Sequence, residues 1–233
     1  MPPVIKHRAP NIQLARGATE NGIVIGNTTD KYQSVNPVVR RLMTGFTRSF
    51  ESLVRQVEPS EIHEVGCGEG YWSIRLAQAG YRIRGSDFSS QVVALARDNS
   101  ATVGLSIPFQ TQSIYDLRDQ EDAANLIICC EVFEHLENPE QGLGILARLA
   151  RPYLLISVPR EPTWRLLNMA RGKYWCSLGK TPGHLQHWSK RSFLRFLSQR
   201  FEIVDVRSPL PWTMALCRIK KSAPIAPSFP LVS

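Results

Sequence analysis

The sequence predicts an α/β fold, a doubly wound and mostly parallel sheet, and three observations predict it. Apolar runs of strand length alternate with segments of helical period from about residue 61 to about residue 158. A glycine-rich turn, Glu64-Val-Gly-Cys-Gly-Glu-Gly70, joins one strand candidate directly to a helix candidate that begins at Tyr71. Asp87 closes the next strand candidate, 21 residues after Gly66. An acid about 20 residues past the first glycine is where βαβ folds hold a nucleotide ribose.

In chain order, residues 1–29 are polar, punctuated by Gly, Asn and Pro, and without clear period, which predicts a flexible, extended or loosely held segment. Val35 to Val57 predicts a helix. Asn36-Pro37 is a start signal, and Val38, Leu42, Phe46, Phe50, Leu53 and Val57 recur at three- and four-residue spacing. Strands are predicted at 61–66, 81–86, near 107–112, at 124–130 and at 153–158, with helices at 70–79, 89–98 and about 138–150 between them. Residues 160–188 break the rhythm and predict a lid inserted after the fifth strand. A helix from Ser189 to about 199 and two closing strands, Phe201–Arg207 and Met214–Lys220, follow. The tail 221–233, rich in proline and serine, predicts disorder. One domain over residues 30–220 is what this length supports.

Hydrophobic content of 43% with 21% charged residues is that of an ordinary soluble globular chain. The longest apolar runs, Leu126–Cys130 and Tyr153–Val158, are too short to span a bilayer, so no transmembrane segment is predicted. No apolar stretch follows Met1-Pro-Pro-Val-Ile-Lys-His-Arg8, and no secretory signal is expected. Five scattered cysteines without a C-x-x-C pair argue against a zinc finger or a disulfide framework, and a reduced, cytoplasmic setting is the expectation. The net charge of +8 is concentrated: residues 160–200 hold nine Lys and Arg against Glu161 alone, an excess equal to that of the whole chain. Such a segment can attract an anionic substrate, nucleic acid or an acidic membrane surface, or be a solvated helix face.

The glycine turn is selective about its ligand. A dinucleotide fingerprint needs glycine at 71, where Tyr71 stands; a P-loop needs Gly-Lys-Ser/Thr, which does not follow; and the loop has no Lys or Arg for a pyrophosphate. A ligand with ribose and adenine but no phosphate remains. On these residues the chain resembles the class I S-adenosylmethionine-dependent methyltransferases, over roughly residues 60–220. The resemblance implies a Rossmann-like, seven-stranded sheet with an N-terminal helix and an antiparallel ending. It also implies Glu64, Gly66, Cys67, Gly68 and Gly70 at the cofactor, and Asp87 on the ribose hydroxyls with Phe88 beside it. Ser113 and Ile114 would neighbour the adenine, and Cys130 and Glu131 would lie beneath the methionine portion. The sequence departs from the family pattern at Ser113, where an Asp is commonest and Asp116 comes later, and at Asn125, which replaces the acid that usually opens the fourth strand.

The protein must align a nucleophile with the methyl group and take a proton if the nucleophile is a hydroxyl. Glu131-Val-Phe-Glu134-His135 follows the fourth predicted strand; in a helix, residues 131, 134 and 135 would share one face. Histidine titrates near neutrality, so His135 is the candidate base, with Glu134 beside it. E-x-x-E-H also resembles the metal-binding motif of ubiquinone-biosynthesis O-methyltransferases and of enzymes that 2′-O-methylate small-RNA 3′ ends. That resemblance implies Mg²⁺ or Mn²⁺ on Glu131, Glu134 and His135, completed by a distant histidine, His184 being favoured over His187. The same Glu-His pair is widespread in methyltransferases that bind no metal, where it caps, packs or touches substrate.

The lid combines bases with Trp164, Tyr174 and Trp175 beside the strand edge where ligands of open sheets sit. Trp164, Tyr174, His184 and His187 are the candidate substrate residues, Trp164 being equally readable as a core anchor. Tyr32, Asn36 and Arg40 are expected to close over the cofactor from the other side. Together these features predict a methyltransferase acting on an oxygen of a small-molecule, sugar or lipid-linked acceptor, with peripheral membrane contact left open. The alternative is an RNA ribose 2′-O-methyltransferase, weakened by the lack of an RNA-binding module. A non-catalytic nucleotide-binding partner protein is the third reading.

Overall fold

The computed structural model describes residues 10–220 except 21, 171–180 and 182. A short hairpin, β1 (Thr19–Glu20) and β2 (Ile23–Val24), precedes α1 (Pro37–Val57). The alternating core follows as β3 (Ile62–Val65), α2 (Tyr71–Gln78), β4 (Ile83–Asp87), α3 (Ser90–Thr102), β5 (Phe109–Thr111), β6 (Ala124–Cys130), α4 (Pro139–Leu149) and β7 (Ala150–Pro159). The chain closes with α5 (Thr163–Ala170), α6 (Lys190–Leu197), β8 (Phe201–Arg207) and β9 (Trp212–Ile219). The seven-stranded sheet has the order β5-β4-β3-β6-β7-β9-β8. Strands β5 to β7 run parallel, and β9 pairs antiparallel with both β7 and β8.

The chain leaves β3 outward to β4 and β5, then crosses back to β6 on the other side of β3. The reversal places a crevice at the C-terminal ends of β3 and β6, the switch point where open α/β sheets hold ligands. Everything that follows sits on that edge.

Local chemistry explains the helices beside it. Asn36 Oδ1 accepts from Val38 N (2.9 Å), Pro37 opens α1 with a missing donor that costs nothing there, and Met43, Phe46, Phe50, Leu53 and Val54 turn one stripe to the core. One apolar cluster joins α1 and α2 to one sheet face, and a second joins α4 and α6 to the other. Buried Glu51 of α1 accepts from Arg75 Nε of α2 (2.7 Å), tying the first helix to the helix of the glycine turn.

Of residues 1–29, read from the sequence as loosely held, 10–20 and 22–29 are bound down in the structure. Ile12 and Ile25 are buried, and polar residues of α3 and of the glycine turn hold this stretch in place. Beyond its own hairpin, its hydrogen bonds run to residues remote in sequence, which no local periodicity announces. The tail 221–233 and lid residue Tyr174 lie outside the described residues. Among the described residues, no helix is long and apolar enough to cross a membrane.

Candidate functional site

The crevice has a cofactor side built by the first βαβ unit. After β3 the chain turns on Gly66 (φ 76°), Gly68 (φ 50°) and Gly70 (φ 82°), a left-handed backbone that side chains disfavour. A Cβ at Gly66 would run into Val132 Cγ2, whereas Gly68 faces open space. Gly66 N and Cys67 N both donate to Ser86 O (2.7 and 3.0 Å), fixing the turn to β4. Asp87, 9% exposed at the end of β4, accepts from Gly68 N (3.0 Å) and Ser89 N (3.1 Å), and burial raises its pKa. Phe88 beside it is 44% exposed, an apolar face at the crevice. Ser113 caps a 3₁₀ turn, Ile114–Asp116, by accepting from Tyr115 N (3.3 Å), and Ile114 is buried. Glu64 is buried at the end of β3 with Ser73 Oγ donating to it, and burial pushes its pKa up to about 8. Cys67 is buried and Cys130 half-buried.

The donor set fits S-adenosylmethionine. Open space over Gly68 lets backbone meet a ligand directly, Asp87 is oriented before any ribose arrives, and the turn carries carboxylates but no base for a phosphate. Carboxylates that burial leaves reluctant to ionise are matched to a cationic cofactor.

The other side begins where β6 ends. Glu131 has φ 60°, so the chain swings out of the strand into a 3₁₀ turn, Phe133–His135, rather than continuing as an α-helix. The shared helical face expected for residues 131, 134 and 135 therefore does not form. Glu131 points elsewhere: it accepts from Ser157 Oγ (3.0 Å) and Trp212 Nε1 (2.6 Å). Burial raises its pKa to about 6, against the lowering pull of Lys31 and these two donors. Glu134 is 2% exposed, and its Oε2 has no hydrogen-bond partner. Burial, and then the charge of Glu131, hold the Glu134 carboxyl well above the usual carboxylate range.

His135 Nδ1 lies 2.9 Å from Gly183 O. A carbonyl only accepts, so the proton sits on Nδ1 and Nε2 carries the lone pair. The residue as a whole is exposed, but desolvation of its ring lowers the pKa. The His184 ring stands at 90° to it, 4.9 Å away, its pKa pushed down to about 3 by burial, then by His135 and His187. Ligand atoms of Glu134, His135 and His184 lie within 4.8 Å of one another. Glu131 stands outside that set, and His187 Nδ1 lies 3.6 Å from Glu161.

Trp164 stacks over His184 (6.0 Å, 22°) and donates from Nε1 to Thr181 Oγ1 (2.9 Å), which also accepts from Asn168 Nδ2 (3.0 Å). The end of the lid is clipped to the 3₁₀ turn: Leu185 N and Gln186 N donate to Glu134 O (2.7 and 2.9 Å), and Gln186 Nε2 to Leu136 O (3.1 Å). Of the residues expected to close over the cofactor, Tyr32 lies on Tyr71 (3.4 Å, 10°), Asn36 is occupied as a helix cap, and Arg40 is exposed. Sequence reasoning missed Ser157, Trp212, Thr181, Gly183 and Lys31. Glu131 and Trp212 are 81 residues apart, and nothing in the intervening pattern marks the pair.

Comparison with known proteins bears on this geometry. Residues 62–153 match a family model described as a methyltransferase domain. Over 149 residues the chain is 28% identical to a ubiquinone biosynthesis O-methyltransferase of Coxiella burnetii. That alignment covers 58% of this chain and 63% of the relative, so the chain matches less than two thirds of its length. Magnesium protoporphyrin IX methyltransferase from Synechocystis PCC 6803 with bound SAH has a TM-score of 0.62 at 22% identity, covering 80% of this chain and 89% of that one. The methyltransferase domain of a bacterial Hen1 protein has a TM-score of 0.58 at 20% identity, covering 76% and 100%. At such identities the structures speak for the fold, and the domain match falls on β3 to β7, the unit that builds the crevice. Residues 62–153 thus carry a methyltransferase domain, set in a sheet that has the fold of solved methyltransferases.

Proposed function

We propose that this chain methylates a hydroxyl of a small-molecule, sugar or lipid-linked acceptor, with His135 as the general base. The observation that carries the reading is the tautomer of His135. Nδ1–H is held by Gly183 O, which leaves the Nε2 lone pair at the C-terminal edge of β6, the strand that borders the cofactor turn. S-adenosylmethionine, when bound, supplies an activated methyl group. The protein supplies position: Asp87 and the glycine turn hold the nucleoside, and the clip between residues 183–186 and the 3₁₀ turn aims the imidazole. A lowered pKa keeps His135 neutral, hence competent as a base, at neutral pH. Once it has taken the acceptor's proton, the imidazolium favours ionisation of Glu134 beside it. The name of the Coxiella relative supports oxygen as the acceptor atom.

A second reading rests on the unpartnered Glu134 Oε2. Glu134, His135 and His184 would hold a divalent cation of the Mg²⁺ or Mn²⁺ kind, which would polarise an acceptor oxygen. Glu131 is engaged by Trp212 and Ser157 and is no part of that set. The two readings exclude each other at His135, because one lone pair cannot serve both.

Transfer of labelled methyl from S-adenosylmethionine into lipid, polysaccharide and RNA fractions of a cell extract, with and without chelator, separates them. Label in lipid or polysaccharide that is indifferent to chelator supports the base reading. Chelator-sensitive label supports the cation, and label in RNA transfers the acceptor to ribose. No affinity for S-adenosylhomocysteine by calorimetry would leave a non-catalytic partner protein.

A further inference from the structure

The fourth position of the Gly-Cys-Gly-Glu-Gly turn is Glu69, and it does not face the crevice opening. It is 1% exposed, and its bonds all run to the N-terminal stretch: Oε1 accepts from Ala15 N (3.2 Å) and Asn27 N (2.6 Å), and Oε2 from Asn27 Nδ2 (2.7 Å). Asn99 of α3 reinforces the join, accepting from Gln13 N (2.7 Å) and donating to Gln13 O and Glu69 O (3.0 Å each). At the other end, Glu20 sits on the N-terminus of α3, accepting from Ser90 N (3.2 Å), Ser90 Oγ (2.8 Å), Gln91 N (3.3 Å) and Ser89 Oγ. That helix opens three residues after Asp87. The stretch is therefore pinned to the glycine turn and to the helix behind the ribose acid at once.

Its far end delivers two side chains to the crevice. The Tyr32 ring lies parallel to Tyr71 (3.4 Å) and edge-on to Trp72 (5.8 Å), with Glu64, Glu69 and Glu131 close enough to act on its hydroxyl. Lys31 acts in turn on Glu131 and Glu134. The Tyr32 phenol, with Lys31 Nζ 5.3 Å from its ring, thus lies within electrostatic reach of the carboxylates at the ends of β3 and β6, where the methionine end of the cofactor, with its own carboxylate, would lie.

We propose that residues 10–34 form a strap across the cofactor crevice, in which Tyr32 faces the cofactor and Glu69 is the positioning residue that latches the strap to the glycine turn. The inference rests on the methyltransferase reading above. The cofactor leaves only when the strap lifts, so the latch sets its dissociation rate.

The test uses the full chain and S-adenosylhomocysteine as probe, with hydrogen exchange of residues 10–34, calorimetric Kd and stopped-flow tryptophan fluorescence. Binding is expected to slow exchange across the strap. Tyr32→Ala should raise Kd at least tenfold, with Tyr32→Phe separating ring from hydroxyl. Asn27→Ala removes one latch donor from a half-exposed position; it should speed strap exchange and raise the dissociation rate several-fold with little change in association rate or Tm. Glu69→Gln should do the same more strongly. Suppose Asp87→Ala abolishes binding, while strap exchange ignores the ligand and neither Tyr32→Ala nor Asn27→Ala changes Kd or dissociation. The strap inference then falls and the cofactor reading stands. Absence of binding by the wild-type chain overturns both.

Discussion

The two sides of the crevice are built by different means. The nucleoside part of the proposed cofactor site comes from one contiguous run, β3 through the 3₁₀ turn after β5, and its working parts are backbone at three glycines and one acid at a strand end. The side proposed for the acceptor is collected from residues 131–135, α5, residues 181 and 183–188 and the start of β9, joined by single bonds such as His135 to Gly183 and Glu131 to Trp212. A parallel register fixes the first side whatever its helices carry. A handful of contacts fixes the second, so it can be rebuilt for another acceptor without touching the first. On the proposed assignment, fold and acceptor choice are physically separable.

That contrast is open to attack at its strongest point, catalysis without binding. His135→Ala should lower kcat by about 10²–10⁴-fold, the usual worth of a positioned base, while the calorimetric Kd for S-adenosylhomocysteine stays put. A variant that keeps full turnover removes the base assignment. Asp87→Ala should do the converse, weakening cofactor binding by about 2–4 kcal/mol, roughly 30- to 1000-fold, since it forfeits charged hydrogen bonds to a ribose. If both variants damaged Kd equally, the two sides would not be separable units.

Trp212→Phe probes the joinery itself. Phenylalanine keeps the ring against Phe46 and Trp164 but removes the N–H that Glu131 accepts at 2.6 Å. A charge-assisted bond of this kind is worth about 1.5–3 kcal/mol, so kcat/KM should fall by about tenfold or more. Acid-side behaviour should change too, because Trp212 is one of the groups lowering the Glu131 pKa. An unchanged pH–rate profile would reduce Trp212 to packing.

The same contrast decides what the sequence could disclose. The alternation of strands and helices, the glycine turn and Asp87 were legible because they obey local rules: period, φ > 0, an acid at a fixed distance. The expected common face of Glu131, Glu134 and His135 failed on one dihedral. A left-handed residue at 131 sends its carboxylate to Trp212, and no pattern in Cys130–Leu136 marks it. The N-terminal stretch escaped for a related reason: its order comes from Glu69, Asn99 and the start of α3, all remote in sequence. Polar residues without period look flexible until their distant partners are known.

The smallest effect is in stability, where Glu64 on one side and His184 on the other should act with opposite sign. Burial raises Glu64 to about 8 from an ordinary 4.5, and Asp87 upward as well. Between those limits Glu64 binds more protons in the folded state than in the unfolded one, so the stability it contributes is present below about pH 4.5 and is lost as pH rises through 8, and Asp87 acts in the same direction. His184 runs the other way. Its pKa is depressed from 6.5 to about 3, so its contribution is present above 6.5 and is lost as pH falls toward 3. Glu131 and Glu134, both raised like Glu64, place two acid-stable groups on the acceptor side and make its limb shallower. Glu64→Gln should flatten the alkaline decline in Tm and His184→Gln the acid decline, each by about 1 kcal/mol, or roughly 2–4 °C at this chain length. S-adenosylmethionine, whose sulfonium favours ionised Glu64, should gain stabilising power from pH 5 to pH 8 relative to neutral-sulfur S-adenosylhomocysteine, as read by calorimetric melting. Equal gains for the two ligands would mean that the Glu64 carboxylate does not face the sulfonium, and the charge match assigned to the cofactor side would have to be sought at Asp87 alone.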